Sequence, residues 1–362
     1  MNTPDSQQTF PVTDGGVPDS REEQWRFTPL DKLTGFFDES LKRSTLEVHS
    51  QTPIDTLGLG EGIRGSLFTP VDVNTAICGG MERAHYVKLE SVSDSPLRLS
   101  LTGQSTDPSA NHLVIEALQG SRTTVVATHQ GLAHHSALTE ILVGDGAELT
   151  VVSIYDWEAG SIHLGHHVAQ VGHDATYRHI VVTLGGELNR IGTTTSYSSS
   201  GGHVELLGVY FAHGGQHHEH RLLVDHNQPA CTSMVDYRGA LQGQGATSIW
   251  VGDVKIRPQG EGIETYETNK NLVLSDGCRA ESIPNLEIET GDIVGAGHSA
   301  STGRFDPEHL FYLRSRGISE DEAKTMIVRG FFTSVLARIG VGDVEEALLR
   351  RIDEELAKEK HE

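Results

Sequence analysis

Short apolar segments alternate with glycine-bearing turns along most of the chain between about residues 80 and 300. The segments are rich in β-branched residues and include HLVIEAL, TTVVATH, AELTVVSIYDW, HVELLGVYFAH and TSIWVGDVKI. Such runs, bounded by turn residues, are typical of β-strands, and almost none of this region has the apolar spacing of a helix. The pattern therefore predicts a mainly β core over residues 76–300.

The turns in this core recur at nearly regular intervals. GDGA at 144, VGHDA at 171 and SGGH at 200 belong to a series separated by roughly 28 residues or about half that distance. This spacing favours a β-solenoid, in which each coil stacks its inward Val, Ile and Leu side chains on the next. A pair of jelly-roll domains is the alternative that the pattern leaves open.

The two flanking regions predict helix instead. Residues 1–75 open with the polar MNTPDSQQTFPVTDGG, which indicates a disordered start. They continue with REEQWRFTPLDKLTGFFDESL, where apolar residues have helical spacing and Pro29 divides the segment into short helices. Residues 301–362 form a second helical region, in which Ser319 and Glu322 have the spacing of a capping box.

Two apolar stripes run along the C-terminal helical region. The first consists of Ala323, Met326, Ile327, Phe331 and Val335. The second repeats every four residues and consists of Val344, Leu348, Ile352 and Leu356. A helical region with one apolar and one charged face either packs on the β core or docks a partner protein, and both interpretations stay open.

Charge and cysteine content argue against several classes of function. The chain has 50 acidic and 28 basic residues and a formal net charge of −22. Such a surface repels nucleic acid and anionic lipid, so we expect neither a nucleic-acid nor a membrane partner. No signal-peptide pattern opens the chain, and its three cysteines are far apart, which argues against a disulfide framework. We therefore expect a cytoplasmic protein.

Metal-binding side chains are concentrated in FAHGGQHHEHRLLVDHNQPAC, residues 211–231. His218 and His220 project from the same face of a strand, which makes them weak candidates for a metal-binding pair in a cupin-like enzyme. The alternative is a row of imidazoles on a histidine-tolerant sheet surface. A second histidine-rich stretch, IHLGHHVAQVGHDATYRH at 162–179, favours this alternative.

A separate histidine, His298, lies where the last predicted strand gives way to the helical tail. The small residues on both sides of it, in GAGHSAS, leave the ring accessible and allow another backbone to approach closely. Other catalytic patterns are missing from the sequence, including a Walker A motif, a dinucleotide-binding glycine pattern and a nucleophile-elbow serine.

The sequence around His298, GHSASTGRFDPEHLFYLRSRGIS, closely resembles the signature of the SufB/SufD family, the scaffold subunits of the SUF iron–sulfur cluster assembly system. DHNQPACTSMVDYRGAL, ETNKNLVLSDGCRAESIPNLEI and SREEQWRFTPL are also similar to that family, so the resemblance covers about residues 19 to 340. The run HSAST, where SufB has His-Glu-Ala-Thr, makes the chain more similar to the SufD branch. The resemblance implies a right-handed parallel β-helix with helical segments at both ends.

The resemblance also implies a non-catalytic scaffold that pairs with a SufB-like subunit. The interface histidine of the family falls on His298, which is thus the implied ligand of a transient iron–sulfur cluster or iron ion, with no permanent cofactor. Many SufD proteins have a cysteine two residues earlier, where this chain has Ala296, so a thiolate ligand would come from the SufB side. The SufC ATPase is expected to dock on the C-terminal helices, at Phe311, Tyr312, Leu313, Arg314, Arg316 and Gly317.

Two other functions stay open on the sequence alone. One is a SufB-like scaffold, and the other is a stand-alone β-solenoid or cupin-like metal enzyme. A scaffold should copurify with an ATPase and a SufB-like chain and show little activity by itself, whereas a metal enzyme should act alone. A homodimer of the isolated chain is also compatible with the sequence.

Overall fold

A computed structural model describes residues 18–38, 41, 44–304 and 307–357 of the chain. The predicted disordered start, MNTPDSQQTFPVTDGG at residues 1–16, lies outside the described residues. The described strands are β1 (Glu47–Ser50), β2 (Asp55–Gly58), β3 (Arg83–Leu89), β4 (Leu97–Ala117), β5 (Arg122–Val143), β6 (Glu148–Trp157), β7 (Ile162–Val171), β8 (Thr176–Thr183), β9 (Leu188–Tyr197), β10 (His203–His213), β11 (His217–His226), β12 (Thr232–Gln242), β13 (Thr247–Ile256), β14 (Ile263–Val273), β15 (Arg279–Ile288) and β16 (Ile293–Arg304). The described α-helices are α1 (Val73–Gly79), α2 (Pro307–Ser315), α3 (Glu320–Leu336) and α4 (Gly342–Ala357).

The strands wind into a parallel β-solenoid of about eight coils. The even-numbered strands β6 to β16 lie side by side on one face, and the odd-numbered strands β7 to β15 form the other. Strand β5 belongs to both faces, because its first half pairs with β6 and its second half with β7. Ile162 pairs with Leu188 and Thr247 with Arg279, so one coil takes from 26 to 32 residues. The solenoid prediction is confirmed, and the jelly-roll alternative is wrong.

Every second side chain of each strand points into the lumen of the solenoid, where apolar and aromatic side chains form one continuous core. Glycines make room for the largest rings. Gly239 on β12 pairs with Tyr210 on β10, and a Cβ at this glycine would lie 1.9 Å from the tyrosine ring. Gly208 gives the same room to Tyr237. These two pairs fix how the coils stack, because a larger residue would displace the ring.

Helix is scarcer in the N-terminal region than the sequence pattern predicts. Before α1, the described residues contain a single 3₁₀ helix, Leu30–Leu33, together with β1 and β2. Pro29 precedes the 3₁₀ helix and Gly35, with a φ of 90°, follows it, so the chain continues through turns. The spaced apolar side chains nevertheless have a structural role, since Trp25, Leu33 and Phe36 pack on the outer face of β7 and β9.

Helices α3 and α4 cover the outer face of the even-numbered strands β6 to β12. In α4, the predicted residues Val344, Leu348 and Ile352 are buried. In α3, however, Val328 and Phe332 face the sheet, while the predicted Met326 is 52% exposed. Ala323 and Val335 of the predicted stripe are buried as well, so the buried surface of α3 combines part of that stripe with the neighbouring Val328 and Phe332.

Charged contacts hold these helices in one orientation on the sheet. The guanidinium of Arg351 on α4 lies 2.9 Å from the Asp156 carboxylate at the end of β6. Arg238 on β12 donates a hydrogen bond of 2.8 Å from Nη1 to the backbone oxygen of Phe331 in α3. Just after α3, Arg338 forms an ion pair with Glu205 on β10. The C-terminal helices are thus tied to the solenoid by charge as well as by apolar packing.

Candidate site at the open end of the solenoid

The solenoid ends in a coil that is open on one side. Strand β15 pairs with β13 and β16 pairs with β14, and no other described strand pairs with either of them. Apolar side chains are exposed around this edge, including Val294 at 72%, Tyr266 at 51% and Ile288 at 44%. Unpaired backbone groups and exposed apolar side chains together make an edge suited to pairing with another chain.

His298 lies on the lumen side of this last coil. It is in register with Glu267, whose side chain points into the lumen. Ala296 and Ala300, two positions to either side on β16, share this face. Because no described coil stacks on β16, the side chain of His298 is 42% exposed. The structure therefore places the histidine that the sequence singled out at the mouth of the lumen, open to solvent.

Directly beneath His298, Glu267 is buried, with 1% of its surface exposed. Neither carboxyl oxygen has a hydrogen-bond partner among the described residues. Nδ1 of His298 lies 3.9 Å from Oε1 of Glu267. Burial, with a smaller contribution from the charge of Asp253, raises the pKa of Glu267 to about 8. The mouth of the lumen therefore combines an accessible imidazole with an enclosed carboxyl group.

Glu267 is a site residue that the sequence analysis missed. A signal for it exists in IETYETNKNLV, a strand that begins with the apolar Ile263. Ile263 is buried in the lumen, so the two-residue period of a strand places Thr265, Glu267 and Asn269 on the same inner face. An acidic residue on the inner face of a strand is unusual, so this position could have been predicted to have a specific role.

The histidine-rich stretch at 211–231 is buried, not solvent-exposed, which corrects the predicted histidine-tolerant surface. His218 is fully buried, His220 is 1% exposed, and both point inward. Nε2 of His218 donates to the backbone oxygen of Phe211 over 3.1 Å, and His220 is hydrogen-bonded to Thr183 over 3.0 Å. Both rings thus have partners within the protein, and solvent has almost no access to them.

The outward-facing residues of the same strand are also covered. Glu219 is fully buried beneath the N-terminal segment and contacts His217, Arg190 and Arg221. Burial by itself raises the pKa of Glu219, but the hydrogen bond with His217 and the two arginine charges outweigh it and hold the pKa well below its usual range. In the part of the chain that is described, no three His, Cys, Asp or Glu side chains are grouped closely enough to hold a metal ion.

The second histidine-rich stretch, 162–179, forms part of a buried ring cluster. His163 lies 4.6 Å from Tyr155 between ring centres, and His167 lies 4.5 Å from His179. Burial lowers the pKa of His129, His166 and His218 to about 4, and that of His135, His179, His220 and His226 to about 3. Burial also holds the pKa of His163 and His167 well below the usual value. These imidazoles are therefore neutral packing groups near neutral pH.

The predicted docking residues lie on and just after α2. Phe311 is 75% exposed and Tyr312 is 56% exposed, whereas Leu313 is partly buried. The guanidinium of Arg316 lies 5.1 Å from the centre of the Tyr312 ring. Arg314 contacts Glu320 at 3.3 Å, and Gly317 ends the segment with a φ of 86°. The result is a compact exposed surface that combines aromatic and cationic groups.

Comparison with known proteins identifies the family of the chain. The family model described as SUF system FeS cluster assembly, SufBD core domain, matches residues 100–331, which is more than half of the chain. The chain belongs to the SufB/SufD family. A SufBD family protein of Mycobacterium leprae is 44% identical over 96% of this chain and 93% of its own length.

More distant SufB/SufD family members are also similar to this chain. The SufD protein of Escherichia coli is 24% identical over 94% of this chain and 90% of its own length. The SufD protein of Bacillus subtilis is 25% identical over 74% of this chain and 62% of its own length. Among the described helices, none is both long and apolar enough to cross a membrane.

Proposed function

We propose that this chain is a SufD-type scaffold subunit that pairs with a SufB-like subunit and helps to build an iron–sulfur cluster at their interface. The observation that carries the proposal is the position of His298, which lies at the open mouth of the lumen beside an unpaired strand edge. Family membership supports the role in iron–sulfur cluster assembly, and the open edge beside His298 supports this location for the second subunit and the iron ion.

The edge of the last coil suits a SufB-like partner. Strand β16 is 12 residues long and presents free backbone donors and acceptors, which a strand of another chain can pair with. The exposed side chains of Val294 and Tyr266 add apolar surface next to this edge. The same surface can join two copies of this chain when SufB is absent, so a homodimer of the isolated chain is part of the proposal.

Iron, or the nascent cluster, is the cargo of this site and not a permanent cofactor. A neutral imidazole is a suitable ligand for ferrous iron. Ala296 has no thiol to offer, so the sulfur ligands come from the partner subunit. Coordination divided between two chains keeps the cluster weakly held, which suits a scaffold that must release its product.

The ATPase of the complex, a SufC-type subunit, docks on α2. Helices α3 and α4 use their apolar faces against the solenoid, whereas Phe311 and Tyr312 on α2 remain exposed. Aromatic side chains beside arginines are typical of the residues that dominate protein interfaces. The two interpretations of the C-terminal region therefore apply to different helices, with α3 and α4 packing on the core and α2 docking the partner.

The chain does not act as an enzyme in this proposal, and it works in the cytoplasm without a nucleic-acid or membrane partner. The stand-alone metal enzyme has less support, because its candidate ligands His218 and His220 are buried and bonded within the protein. A SufB-like identity also has less support, because HSAST replaces the SufB run His-Glu-Ala-Thr.

Coexpression with SufB-like and SufC-type subunits tests the proposal. The tagged chain should copurify with both, and His298→Ala should leave the complex intact but slow cluster formation by about tenfold or more. His173→Ala, at an exposed turn histidine, is the matched control and should not change the rate. A complex with His298→Ala that builds clusters at the normal rate would contradict the site, and failure to copurify would contradict the scaffold function.

A further inference from the structure

The carboxyl group of Glu267 is left unexplained by the scaffold function alone. It is fully enclosed, and neither oxygen has a hydrogen-bond partner among the described residues. A buried polar group without a partner is costly, and such groups in folded proteins usually have a specific role. The role must involve a group that can reach the carboxyl from the mouth of the lumen.

His298 is the group that can do so. The two residues face each other in register on β14 and β16, and Nδ1 of the imidazole is 3.9 Å from Oε1 of the carboxyl. A shift of about 1 Å by the partly exposed ring would bring this distance to the roughly 2.8 Å of a charge-assisted hydrogen bond. Since Nδ1 is the ring nitrogen next to the carboxyl, Nε2 is the nitrogen left for a ligand.

The surroundings hold the carboxyl in place. Gly252 on β13 leaves room for the carboxyl group. A Cβ at this position would lie 2.5 Å from Oε2 of Glu267 and would collide with it. The Trp250 ring lies beside the same space, 2.3 Å from that Cβ position. Because both carboxyl oxygens are buried, the group is not exposed to an ion shared with a second subunit. It can act on such an ion only through His298.

We propose that Glu267 is a positioning residue that sets the imidazole of His298 for iron binding. When Nε2 binds iron, the Nδ1–H group donates a hydrogen bond to the Glu267 carboxyl group, whose ionised form is favoured by the positive charge of the bound ion. This bond fixes the tautomer and the orientation of the ring, and it makes the imidazole a stronger ligand. The inference rests on the proposed function, because it takes His298 as an iron ligand.

The test uses the complex of the full chain with its SufB-like partner and takes Co²⁺ as a spectroscopic substitute for ferrous iron. Co²⁺ affinity is measured for the wild type, Glu267→Gln, Glu267→Asp and His298→Ala. Glu264→Gln, at an exposed residue on the same strand, is the matched control. Thermal melting of each variant separates a loss of affinity from a loss of folding. Glu267→Gln keeps the size of the side chain, so the variant should fold.

We expect both Glu267 variants to bind Co²⁺ about 10- to 100-fold more weakly than the wild type, and Glu264→Gln to bind normally. The wild-type complex should also show a paramagnetically shifted N–H proton from the bound imidazole, protected from exchange by the carboxylate. This proton should exchange faster with solvent in Glu267→Gln, because a neutral amide oxygen is a weaker acceptor than a carboxylate, and a purely structural role would not produce this change.

Three outcomes would overturn the inference, and one of them separates it from the proposed function. If His298→Ala loses Co²⁺ but both Glu267 variants bind normally, the positioning role is wrong and the scaffold proposal stands. If His298→Ala also binds normally, the site itself is wrong and both ideas fail. If the N–H proton exchanges in Glu267→Gln as slowly as in the wild type, the carboxylate is not the group that protects it.

Discussion

The guanidinium of Arg190 on β9 lies 3.9 Å from the centre of the Trp25 ring, which places the N-terminal segment directly on the outer face of the solenoid. Nη2 of the same arginine donates to the backbone oxygen of Gln24 over 3.0 Å. Thr28 donates to the buried carboxylate of Glu219 over 2.7 Å. The segment is thus held by an aromatic ring, by backbone contacts and by a buried charge.

Trp25→Ala should release this segment from the solenoid. The indole is fully buried, so we expect the free energy of unfolding to fall by about 3–5 kcal/mol. Denaturant unfolding measures the loss, and limited proteolysis should show new cleavage around residues 18–38. Arg26→Ala, next to it but exposed, should change stability by no more than about 0.5 kcal/mol. Equal stability of the Trp25 variant and the wild type would contradict the anchoring role.

Buried histidines should make the protein sensitive to mild acid. Nine of them have a pKa below the value of the unfolded chain because of burial. Below about pH 6.5 the unfolded chain therefore binds more protons than the folded chain, and stability falls as pH drops. Each group contributes about 1.4 kcal/mol per pH unit, so nine remove on the order of 10 kcal/mol between pH 6 and pH 5.

Glu267 has the opposite effect on stability, because its pKa is raised to about 8 and the folded chain therefore binds a proton that the unfolded chain does not. This effect offsets the contribution of at most one histidine. Urea unfolding at a series of pH values measures the slope. His179→Gln should reduce the slope by about 1.4 kcal/mol per pH unit, whereas His173→Gln at an exposed turn should not. Stability that is flat from pH 7 to pH 5 would refute the prediction.

Replacing the exposed rings of α2 should weaken docking of the ATPase without unfolding the chain. For the double variant Phe311→Ala and Tyr312→Ala we expect a Kd at least about 30-fold higher for the SufC-type subunit, as is typical of aromatic interface residues. The melting temperature should be unchanged, because both rings are exposed. Leu59→Ala, at an exposed apolar residue elsewhere, is the control. Unchanged ATPase affinity would rule out this docking surface.

The solenoid was predictable because the sequence repeats both its turns and its strands. Glycine turns at near-regular spacing indicate coils, and the β-branched runs between them indicate strands that stack on one another. The packing of α3 was less predictable, because its apolar surface contains two adjacent rows of side chains. Which of these side chains are buried depends on the shape of the sheet beneath them, and the helix sequence does not contain that information.

The burial of the histidines was not predictable for a related reason. A strand in a sheet that is covered on one side has a second, solvent-exposed face. Because side chains alternate between the two faces, HHEHRLLV indicated that some imidazoles were exposed. In this solenoid the inner face is closed by the other sheet, and the outer face of β11 is closed by the segment around Trp25. Both covers come from distant parts of the sequence. The role of Glu267 could not be predicted from its own strand either, because this role depends on His298, which faces it from β16.

The last coil, formed by β15 and β16, has a neighbouring coil on one side only, so it should be less rigid than the central coils. In a stack of coils each layer is stabilised by its neighbours, so a terminal layer with a neighbour on one side only opens first. Amide hydrogens of β15 and β16 should thus exchange faster than those of the central strands when the subunit is alone. A SufB-like subunit that adds its strands there would supply the missing layer, so that the ligand-bearing coil becomes rigid only once the complex has formed.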